Sequence, residues 1–419
     1  MSVPSSSPPN DIAVIGAGIV GLACAFHLQA AGCSVVLVER GGIAEGASFG
    51  NAGAFAFTDI LPLASPGILR KAPGWLIDPL GPLAIPPAYA LNIAPWLLRF
   101  WRASLPDRYA HSLSVQSAMM RLAASAMAEM VAGAGLASHV RADGNLQLYE
   151  SEAELAAAQP GWDARAKEGI AFEHVRGERL AQLQPGLAPR FVAGTFTPNW
   201  KTVADPYHFA LALFEQVMAR GARIVSGEVV AIEPQTAGVS LRLTDGTTIN
   251  AAQAVLAGGA WSRPLAAALG DRVPLETERG YNTTLPPGAF DVRRQLTFGG
   301  HGFVVTPLST GIRVGGAVEL GGLKAPPNYK RSQAMLTKAA AFLPGLKTTG
   351  GTQWMGFRPS LPDSLPVIGR ASADPRIIHA FGHGHLGLTQ SAATGRLVAE
   401  LATGRPLSLD LSPFRPTRF

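Results

Sequence analysis

A glycine-rich turn near the start of the chain carries the clearest chemical pattern in the sequence. Residues 11–15 form an apolar run, and Gly16, Gly18 and Gly21 follow it with the spacing G-x-G-x-x-G. In a strand–turn–helix unit, the first glycine makes the tight turn, the second lets the backbone approach a pyrophosphate, and the third lets helix and strand pack closely. Residues 22–31 are typical of a helix, whose N-terminus would offer N–H groups and a positive dipole end to phosphates. The turn therefore predicts a dinucleotide-binding site.

An acidic residue completes the same pattern. Residues 34–39 are typical of a second strand that ends in Glu39, at the distance from Gly21 where a carboxylate accepts hydrogen bonds from ribose hydroxyls. A packing turn would explain the glycines but not Glu39. The pattern does not by itself separate FAD from NAD. The small residues of loop 45–53 suit the far end of a long ligand such as FAD, and the alternative is an ordinary surface turn.

Two stretches near the C-terminus have the residue types of a cofactor and substrate site. The glycine-rich loop 382–387 precedes a helical segment that starts at Thr389, and the positive end of that helix would stabilise an anionic reduced flavin. Upstream, Arg358 stands in a proline-rich loop, where a rigid guanidinium fork suits a carboxylate. The alternative for this arginine is a structural ion pair with Asp363.

Composition excludes several classes of protein. The chain has 419 residues, 47% hydrophobic and 15% charged, so disordered, fibrous and disulfide-stapled proteins are excluded. Its net charge of +6 includes no run of Lys or Arg, so no nucleic-acid partner is expected.

Residues 1–10 are polar and lack the apolar core of an export signal, which predicts a cytoplasmic protein. His379, His383 and His385 have no clustered carboxylates or cysteines to complete a metal shell, so no metal site is expected.

One segment, 72–98, has the hydropathy of a membrane span. Its only charge is Asp78, but it contains six prolines, which would break a spanning helix repeatedly. Two interpretations stay open. Either the segment is a buried or lid-forming loop, or residues 73–101 rest on a membrane surface, where Trp75 and Trp96 would be interfacial aromatics. The second interpretation places the protein peripherally on the inner face of the plasma membrane.

Several motifs together resemble a known family. They are GAGIVG with Glu39, the S-x-x-N-A-G loop at 48–53, GNLQLY at 144–149, ERGYN at 278–282, IRVGGAVEL at 312–320, GFRPSLPDSLPVIG at 356–369 and GHGHLGLT at 382–389. The sequence resembles the D-amino-acid dehydrogenase branch of the FAD-dependent D-amino-acid oxidase/glycine-oxidase superfamily. The resemblance implies FAD as the cofactor and oxidation of an amino-acid C–N bond, with electrons passed to a quinone or another carrier.

Three features bear on the substrate and the acceptor. The second histidine and Leu388 of GHGHLGLT, and the ERG before Tyr281, depart from the sequences of the alanine-type dehydrogenases. Residues 78–89 look more like relatives assigned to D-hydroxyproline oxidation, so D-proline or cis-4-hydroxy-D-proline is the preferred substrate. The alternatives are an oxygen-using D-amino-acid, glycine or sarcosine oxidase, and a flavin subunit of a hetero-oligomeric amine-oxidising complex.

The resemblance assigns roles to individual residues. Arg358 would bind the substrate carboxylate, Tyr281 would donate a second hydrogen bond, and His301, His383 or His385 would accept the substrate proton. The expected cofactor-binding residues are Gly16, Gly18, Ile19, Val20, Gly21, Glu39, Arg40, Ser48, Asn51, Ala52, Gly53, Val229, Gly258, Trp261, Gly356, Gly382, His383, Gly384, His385, Leu386, Gly387 and Thr389.

The scattered motifs predict an interleaved architecture. The expected fold class is an α/β FAD-binding Rossmann-type domain interleaved with an α+β substrate-binding domain that contains a large mixed or antiparallel sheet. Residues 1–56, 200–272 and 354–419 would form the FAD-binding domain, and residues 57–199 and 273–353 the substrate-binding domain.

Overall fold

The computed structural model describes residues 11–68, Gly74, Leu76, Gly81 and residues 83–419. The strands in chain order are β1 Asp11–Ile15, β2 Ser34–Glu39, β3 Ala54–Phe55, β4 Leu83–Ala84, β5 Val140–Arg141, β6 Asn145–Tyr149, β7 Glu173–Arg176, β8 Ala193–Thr197, β9 Lys201–Val203, β10 Arg223–Ser226, β11 Val229–Gln235, β12 Gly238–Leu243, β13 Thr248–Ala251, β14 Gln253–Leu256, β15 Glu276–Leu285, β16 Gln295–Phe298, β17 Phe303–Leu308, β18 Gly311–Glu319, β19 Thr352–Ser360, β20 Val367–Arg370 and β21 Ile377–Phe381. The helices are α1 Ile19–Ala30, α2 Ala90–Ala103, α3 Pro106–Gly133, α4 Glu152–Lys167, α5 Gly177–Leu183, α6 Pro206–Ala219, α7 Ser262–Ala268, α8 Lys330–Phe342 and α9 Gly387–Thr403.

A six-stranded sheet carries the glycine-rich turn. Its strand order is β10-β2-β1-β14-β21-β20, in which β20 alone runs antiparallel to its neighbour. Helices α1 and α9 cover one face, and the antiparallel sheet β11-β12-β13 packs on the other. Parallel strands that are buried on both faces need continuous apolar runs, which explains the sequences of residues 12–15 and 35–38.

A nine-stranded mixed sheet forms the second layer of the molecule. The order is β19-β15-β18-β17-β16-β6-β8-β7, and β4 pairs with β18. The pairs β16–β6 and β18–β4 are parallel and the others antiparallel. Helix α8 packs on one face of this sheet with a core of its own. The predicted fold class, an α/β layer combined with a large mixed sheet, is confirmed.

The chain crosses between the two large sheets several times. Strands of the six-stranded sheet come from residues 11–39, 223–256 and 367–381. The strands of the nine-stranded sheet lie in the segments between them, at 83–197 and 276–360. The boundaries of the two domains stay a prediction. Residues 354–360, which are predicted to belong to the FAD-binding domain, pair with β15 and so lie in the nine-stranded sheet.

Helix α2 was not expected from the sequence. The prolines argued against a spanning helix and left a loop or a membrane-surface segment as interpretations of 72–98, and Pro95 lies inside α2, in its second turn. There it removes one backbone N–H, while the buried side chains of Ile93 and Trp96 still anchor the helix against Leu320. Trp75 and Asp78 lie outside the described residues. Among the described residues, no helix has the length and hydropathy to cross a bilayer.

Candidate active site

A large cavity lies where the two sheets meet. Its volume is about 1050 Å³, at the upper end of the range for small-molecule sites. One wall is the carboxyl edge of the parallel strands, with Ile15, Val38, Ala257 and Phe381 at the strand ends. The opposite wall is one face of β15, β18 and β19. Ligands of open α/β sheets bind at this edge, so the fold and the motifs predict the same location.

The glycine-rich turn is sterically required to be glycine at two positions. A Cβ on Gly16, whose φ is +101°, would lie 2.6 Å from the Ala257 carbonyl oxygen. A Cβ on Gly21 would lie 1.9 Å from the Gly16 carbonyl oxygen. Both contacts are with backbone, which cannot move aside. Gly21 therefore acts by packing α1 against the turn, while Gly16 and Gly18 line the cavity.

The N-terminus of α1 points its positive end into this cavity. Gly18 contributes no capping side chain, and the Ile19 N–H is instead bound by the Ser48 hydroxyl at 2.9 Å. Ser48 comes from the small-residue loop that follows β2. Loop and helix thereby form one surface, with N–H groups and dipole suited to phosphate groups.

Glu39 and Arg40 form one end of the cavity. The Glu39 carboxylate accepts hydrogen bonds from the Ala17 N–H at 2.7 Å and the Gly41 N–H at 3.0 Å. The Arg40 guanidinium lies 3.9 Å from the centre of the Trp261 ring. A carboxylate held beside a stacked cation and aromatic ring is suited to a ribose and a planar base.

The GHGHLG loop brings a second helix end to the opposite side. Gly382 and Gly384 have φ of +88° and +55°, which only glycine adopts without strain. Helix α9 begins at Gly387, two residues earlier than expected. The Thr389 hydroxyl donates to the Ala54 carbonyl at 3.1 Å and accepts from the Ala56 N–H at 3.1 Å, which ties this helix to the loop after β2.

Most of the predicted cofactor-binding residues lie around this cavity. Those that line it are Gly16, Gly18, Ile19, Val20, Glu39, Arg40, Ser48, Asn51, Ala52, Val229, Gly258, Trp261, Gly356, Gly382, His383, Gly384, His385, Leu386, Gly387 and Thr389. Gly21 and Gly53 do not line it. The donor set therefore fits a dinucleotide, with two helix N-termini and a carboxylate at the positions such a ligand needs.

Arg358 lies in the same cavity, on the wall formed by the nine-stranded sheet. Its guanidinium donates to the carbonyl oxygens of Ala317 at 2.8 Å and Gly316 at 3.3 Å. Burial lowers the pKa of Arg358, and the negative charge of Glu278 opposes that effect. A Cβ on Gly280 would lie 2.4 Å from the guanidinium, so the glycine leaves the space that this group occupies.

Hydrogen-bond capacity remains on Arg358 for a ligand. A guanidinium has five N–H donors, and the two carbonyl groups use two of them among the described residues. The remaining N–H groups form a fork of the kind that binds a carboxylate. The alternative ion pair with Asp363 is not formed, because Asp363 pairs with Arg418 at 2.7 Å.

Tyr281 does not have the expected orientation. Its hydroxyl donates to the Glu319 carboxylate at 3.0 Å and accepts from the Asn328 N–H at 3.1 Å. Glu278 on β15 pairs with Arg358 on β19, so their side chains share one face of the sheet. Because side chains alternate faces along a strand, that of Tyr281, three residues after Glu278, lies on the other face, against Tyr329 near α8. The hydroxyl has a single O–H to donate, and it donates this hydrogen bond to Glu319. Tyr281 lines the cavity, but Glu319 and Asn328 already bind its hydroxyl, so its role as a hydrogen-bond donor to the substrate stays a prediction.

The three candidate histidines occupy different environments. His301 does not line the cavity, and its ring bonds to Glu150 at 2.8 Å, so it is not placed to accept the substrate proton. His383 is buried, with its Nε2 atom 2.9 Å from the Thr394 hydroxyl, and burial lowers its pKa to about 3. His385 lines the cavity and lies 3.3 Å from the Asp59 carboxylate.

Asp59 is a site residue that the sequence patterns missed. Its second oxygen lies 3.4 Å from the Arg165 guanidinium of α4. Burial alone would raise the pKa of Asp59, but the hydrogen bonds and charges of His385 and Arg165 hold it below its usual value. The carboxylate is therefore ionised and orients the His385 ring. No local motif marks Asp59, since the pairing joins residues more than three hundred positions apart.

Four more cavity residues were missed for the same reason. They are Asn282 on β15, Gln295 on β16, Arg313 on β18 and Trp354 on β19. Each stands on a strand whose inward face depends on sheet register. The signal in the sequence was the position of Asn282 inside ERGYN, of Arg313 inside IRVGGAVEL and of Trp354 just before GFRPSLPDSLPVIG, whereas Gln295 lies in none of these motifs.

Comparison with known proteins assigns the family. A family model described as FAD dependent oxidoreductase matches residues 11–401. The chain belongs to this family. It is an FAD-dependent oxidoreductase, as its motifs predicted. FAD is thus the dinucleotide that the glycine turn, Glu39 and the two helix ends would hold.

Two curated relatives of the family match almost the whole chain. A D-amino-acid oxidase of Bradyrhizobium diazoefficiens is 34% identical over 418 residues, which cover 97% of this chain and 98% of the relative. A D-amino acid dehydrogenase of Rhizobium johnstonii is 31% identical and covers 97% of this chain and 99% of the relative. Among solved structures, glycine oxidase from Geobacillus kaustophilus has the same fold, with a TM-score of 0.75, 22% identity and 98% coverage of both chains.

Proposed function

We propose that this flavoprotein oxidises the C–N bond of a D-amino or D-imino acid, with D-proline or cis-4-hydroxy-D-proline as the preferred substrate. The observation that carries the proposal is the unsatisfied fork of Arg358 in the cavity that also contains the glycine turn. The names of the relatives from Bradyrhizobium and Rhizobium support the D-amino acid part of the proposal.

The charges around the cavity favour an uncharged substrate side chain. Among the described residues, the acidic groups that line it are Glu39, Glu45, Asp59 and Glu228. Glu39 is bound by two backbone N–H groups, Glu228 pairs with Arg40, and Asp59 pairs with His385 and Arg165. The carboxylate nearest to Arg358 in the sheet register is Glu278, which is buried and does not line the cavity. The wall instead presents Trp354, Phe357 and glycines, against which an apolar ring would pack.

The residues of the chain divide the work of the reaction. Arg358 binds the carboxylate of the substrate and thereby fixes the position of its Cα–H bond. FAD, when bound, supplies the acceptor for the hydride that leaves Cα. The substrate amine has to be neutral for its lone pair to form the C=N bond, so a group in the cavity has to take up the ammonium proton. The imino product is then hydrolysed by water, or released when the substrate is cyclic.

His385 is the group that we assign to this proton transfer. It faces the cavity, and the Asp59 carboxylate orients its ring. His383 is disfavoured because its burial opposes protonation and Thr394 occupies its Nε2 atom. Asp59 acts through His385 and is a positioning residue.

Replacement of His385 tests this assignment. We expect His385→Ala to lower kcat/KM about 10²-fold at neutral pH, the usual contribution of a general base. The defect should shrink as the pH rises toward the pKa of the substrate amine, because the free base then enters the site without help. His301→Ala is the matched control and should leave the pH profile unchanged. A His385→Ala defect of the same size at every pH would contradict the assignment.

We further propose that electrons leave to a membrane quinone and that α2 rests on the membrane. Leu91 and Leu98 lie on one face of α2 and are 89% and 63% exposed, and Leu105, between α2 and α3, is 38% exposed. Trp101 beside them is 42% exposed. Residues 83–106 contain no acidic residue, so their arginines are suited to anionic lipid head groups.

A charge on this face should abolish membrane binding. We expect Leu98→Glu to weaken cosedimentation with vesicles that contain phosphatidylglycerol by about 10- to 100-fold, because it removes buried apolar area and adds a repelled charge. Turnover with a soluble dye should be unchanged. Val192→Glu, at an exposed site in another part of the fold, is the control. Equal binding of the two variants would contradict the membrane contact.

Turnover assays separate the proposed function from its alternatives. The assay compares D- and L-isomers of proline, hydroxyproline and alanine, together with sarcosine and glycine, with a dye or with oxygen as acceptor. The proposal predicts dye reduction by D-isomers and little hydrogen peroxide. Rapid peroxide formation would indicate an oxidase. Bound FAD that no amino acid reduces would indicate a subunit that needs a partner chain.

A further inference from the structure

Three side chains of the nine-stranded sheet bind consecutive carbonyl groups of the loop after β2. Asn282 on β15 donates to the Gly50 carbonyl at 2.7 Å, and Arg313 on β18 donates to the Asn51 carbonyl at 2.7 Å. The Gln295 amide on β16 reaches the Ala52 carbonyl at a longer 3.5 Å. The three strands thus fix one short stretch of loop, which belongs to the opposite wall of the cavity.

This arrangement dictates where the loop presents its N–H groups. In a planar trans peptide, the N–H of each residue is antiparallel to the carbonyl that precedes it. With the Gly50 and Asn51 carbonyls turned toward the sheet, the N–H groups of Asn51 and Ala52 point away from it. Neither N–H group has an acceptor within residues 11–68 or 83–419, while both residues line the cavity. They are available to an acceptor atom of a ligand.

Arg313 adds a charge to the same place. Its side chain is buried, 6% exposed, and its second hydrogen bond goes to the uncharged Thr284 hydroxyl at 3.0 Å. It forms no salt bridge within the described part of the chain, and the negative charge that acts on it is that of Asp205. Burial lowers the pKa of Arg313, although a guanidinium stays protonated at physiological pH. The positive charge is therefore poorly compensated next to the loop.

We propose that Asn282 and Arg313 are positioning residues for the cofactor loop. They hold the Gly50 and Asn51 carbonyls so that the next two N–H groups face the flavin, and the Arg313 charge favours the anionic reduced form of the cofactor. Gln295 assists at the third carbonyl. The substrate-side sheet thereby sets both the affinity for FAD and its reduction potential. The inference requires FAD binding but not the D-amino acid substrate.

The test measures FAD affinity and midpoint potential in Asn282→Ala, Arg313→Met and Arg313→Lys. We expect the FAD dissociation constant to rise about tenfold in the first two, the effect of losing one good hydrogen bond to a fixed group. In Arg313→Met the midpoint potential should also fall by about 30 mV, which is a tenfold factor for a two-electron couple. Arg313→Lys keeps the charge and should restore most of the potential.

Arg294→Met is the matched control for these variants. Arg294 is also partly buried and donates to backbone carbonyls, those of Leu183 and Asp143, but it does not line the cavity. Its loss should lower the melting temperature without changing the potential. If Arg313→Met lowers only the melting temperature, as the control does, the proposal is overturned. If Arg313→Met does not fold, Asn282→Ala decides through FAD affinity, and an unchanged affinity overturns the proposal. Neither readout uses an amino acid, so the substrate proposal can fail independently.

Discussion

Arg358→Met should raise KM for the amino acid about 10²- to 10⁴-fold and leave FAD bound. The estimate follows from the loss of two charge-assisted hydrogen bonds, each of which contributes about 1.5–3 kcal/mol. The carbonyl groups of Gly316 and Ala317 hold the guanidinium in the empty space above Gly280, so the fork is preorganised before substrate arrives. The measurement is steady-state turnover with a dye acceptor, together with the flavin content of the purified variant.

Two outcomes distinguish the role of Arg358 from its alternatives. Arg358→Lys keeps the charge but loses the planar fork, so its KM should lie between those of the wild type and Arg358→Met. Loss of FAD from Arg358→Met would instead place this arginine among the cofactor-binding residues. An unchanged KM would mean that the carboxylate binds elsewhere in the cavity. Glu278 lies opposite Arg358 across β15 and β19, but it is an anion and so cannot bind the substrate carboxylate in place of the arginine.

Gly21→Ala should weaken FAD binding through a steric effect inside the turn. The added methyl group would lie 1.9 Å from the Gly16 carbonyl oxygen, so α1 has to move away from the strand that ends at Ile15. Overpacking of this kind costs about 1–3 kcal/mol. If this cost falls on the conformation of the turn that binds FAD, the affinity for FAD falls about 10- to 100-fold. The measurements are the dissociation constant of FAD for the apoprotein and the melting temperature.

Gly133→Ala provides the matched control for this prediction. Gly133 is also helical, at the end of α3, but a Cβ there meets only the Phe26 ring edge at 3.4 Å, an ordinary contact. Because alanine has the higher helix propensity, the control should keep or slightly increase stability and should not change FAD affinity. Normal FAD affinity in Gly21→Ala would show that the close packing of α1 and the turn is not needed for the site.

The parts of the site that are local in sequence could be predicted, and the rest could not. The turn from Gly16 to Gly21 and Glu39 belong to one strand–helix–strand unit, whose geometry fixes their relation. Arg358 was identified by its proline-rich surroundings. The role of Tyr281 depended instead on which face of β15 it occupies. Neighbours in a strand alternate faces, so only the pairing of β15 with β19 reveals that the Asn282 side chain, and not that of Tyr281, shares the face of Arg358.

The three candidate histidines also show why the sequence alone could not assign the site. In the sequence, His301, His383 and His385 are all histidines in glycine-rich loops and are indistinguishable. The structure separates them by partner, since His301 pairs with Glu150, His383 is buried against Thr394, and His385 faces Asp59. Each of these contacts joins separate elements of the fold. No periodicity or spacing encodes them, so they emerge only from the packed structure.

Anaerobic reduction of the bound flavin tests the central claim most directly. The purified holoenzyme is mixed without oxygen with D-proline, cis-4-hydroxy-D-proline and their L-isomers, and the visible absorbance of oxidised flavin is followed. We predict that a D-isomer bleaches the flavin, that the matching L-isomer does not, and that Arg358→Met needs far higher concentrations for the same rate. Bleaching by an L-isomer or by sarcosine, with no reaction of any D-amino or D-imino acid, would contradict the account.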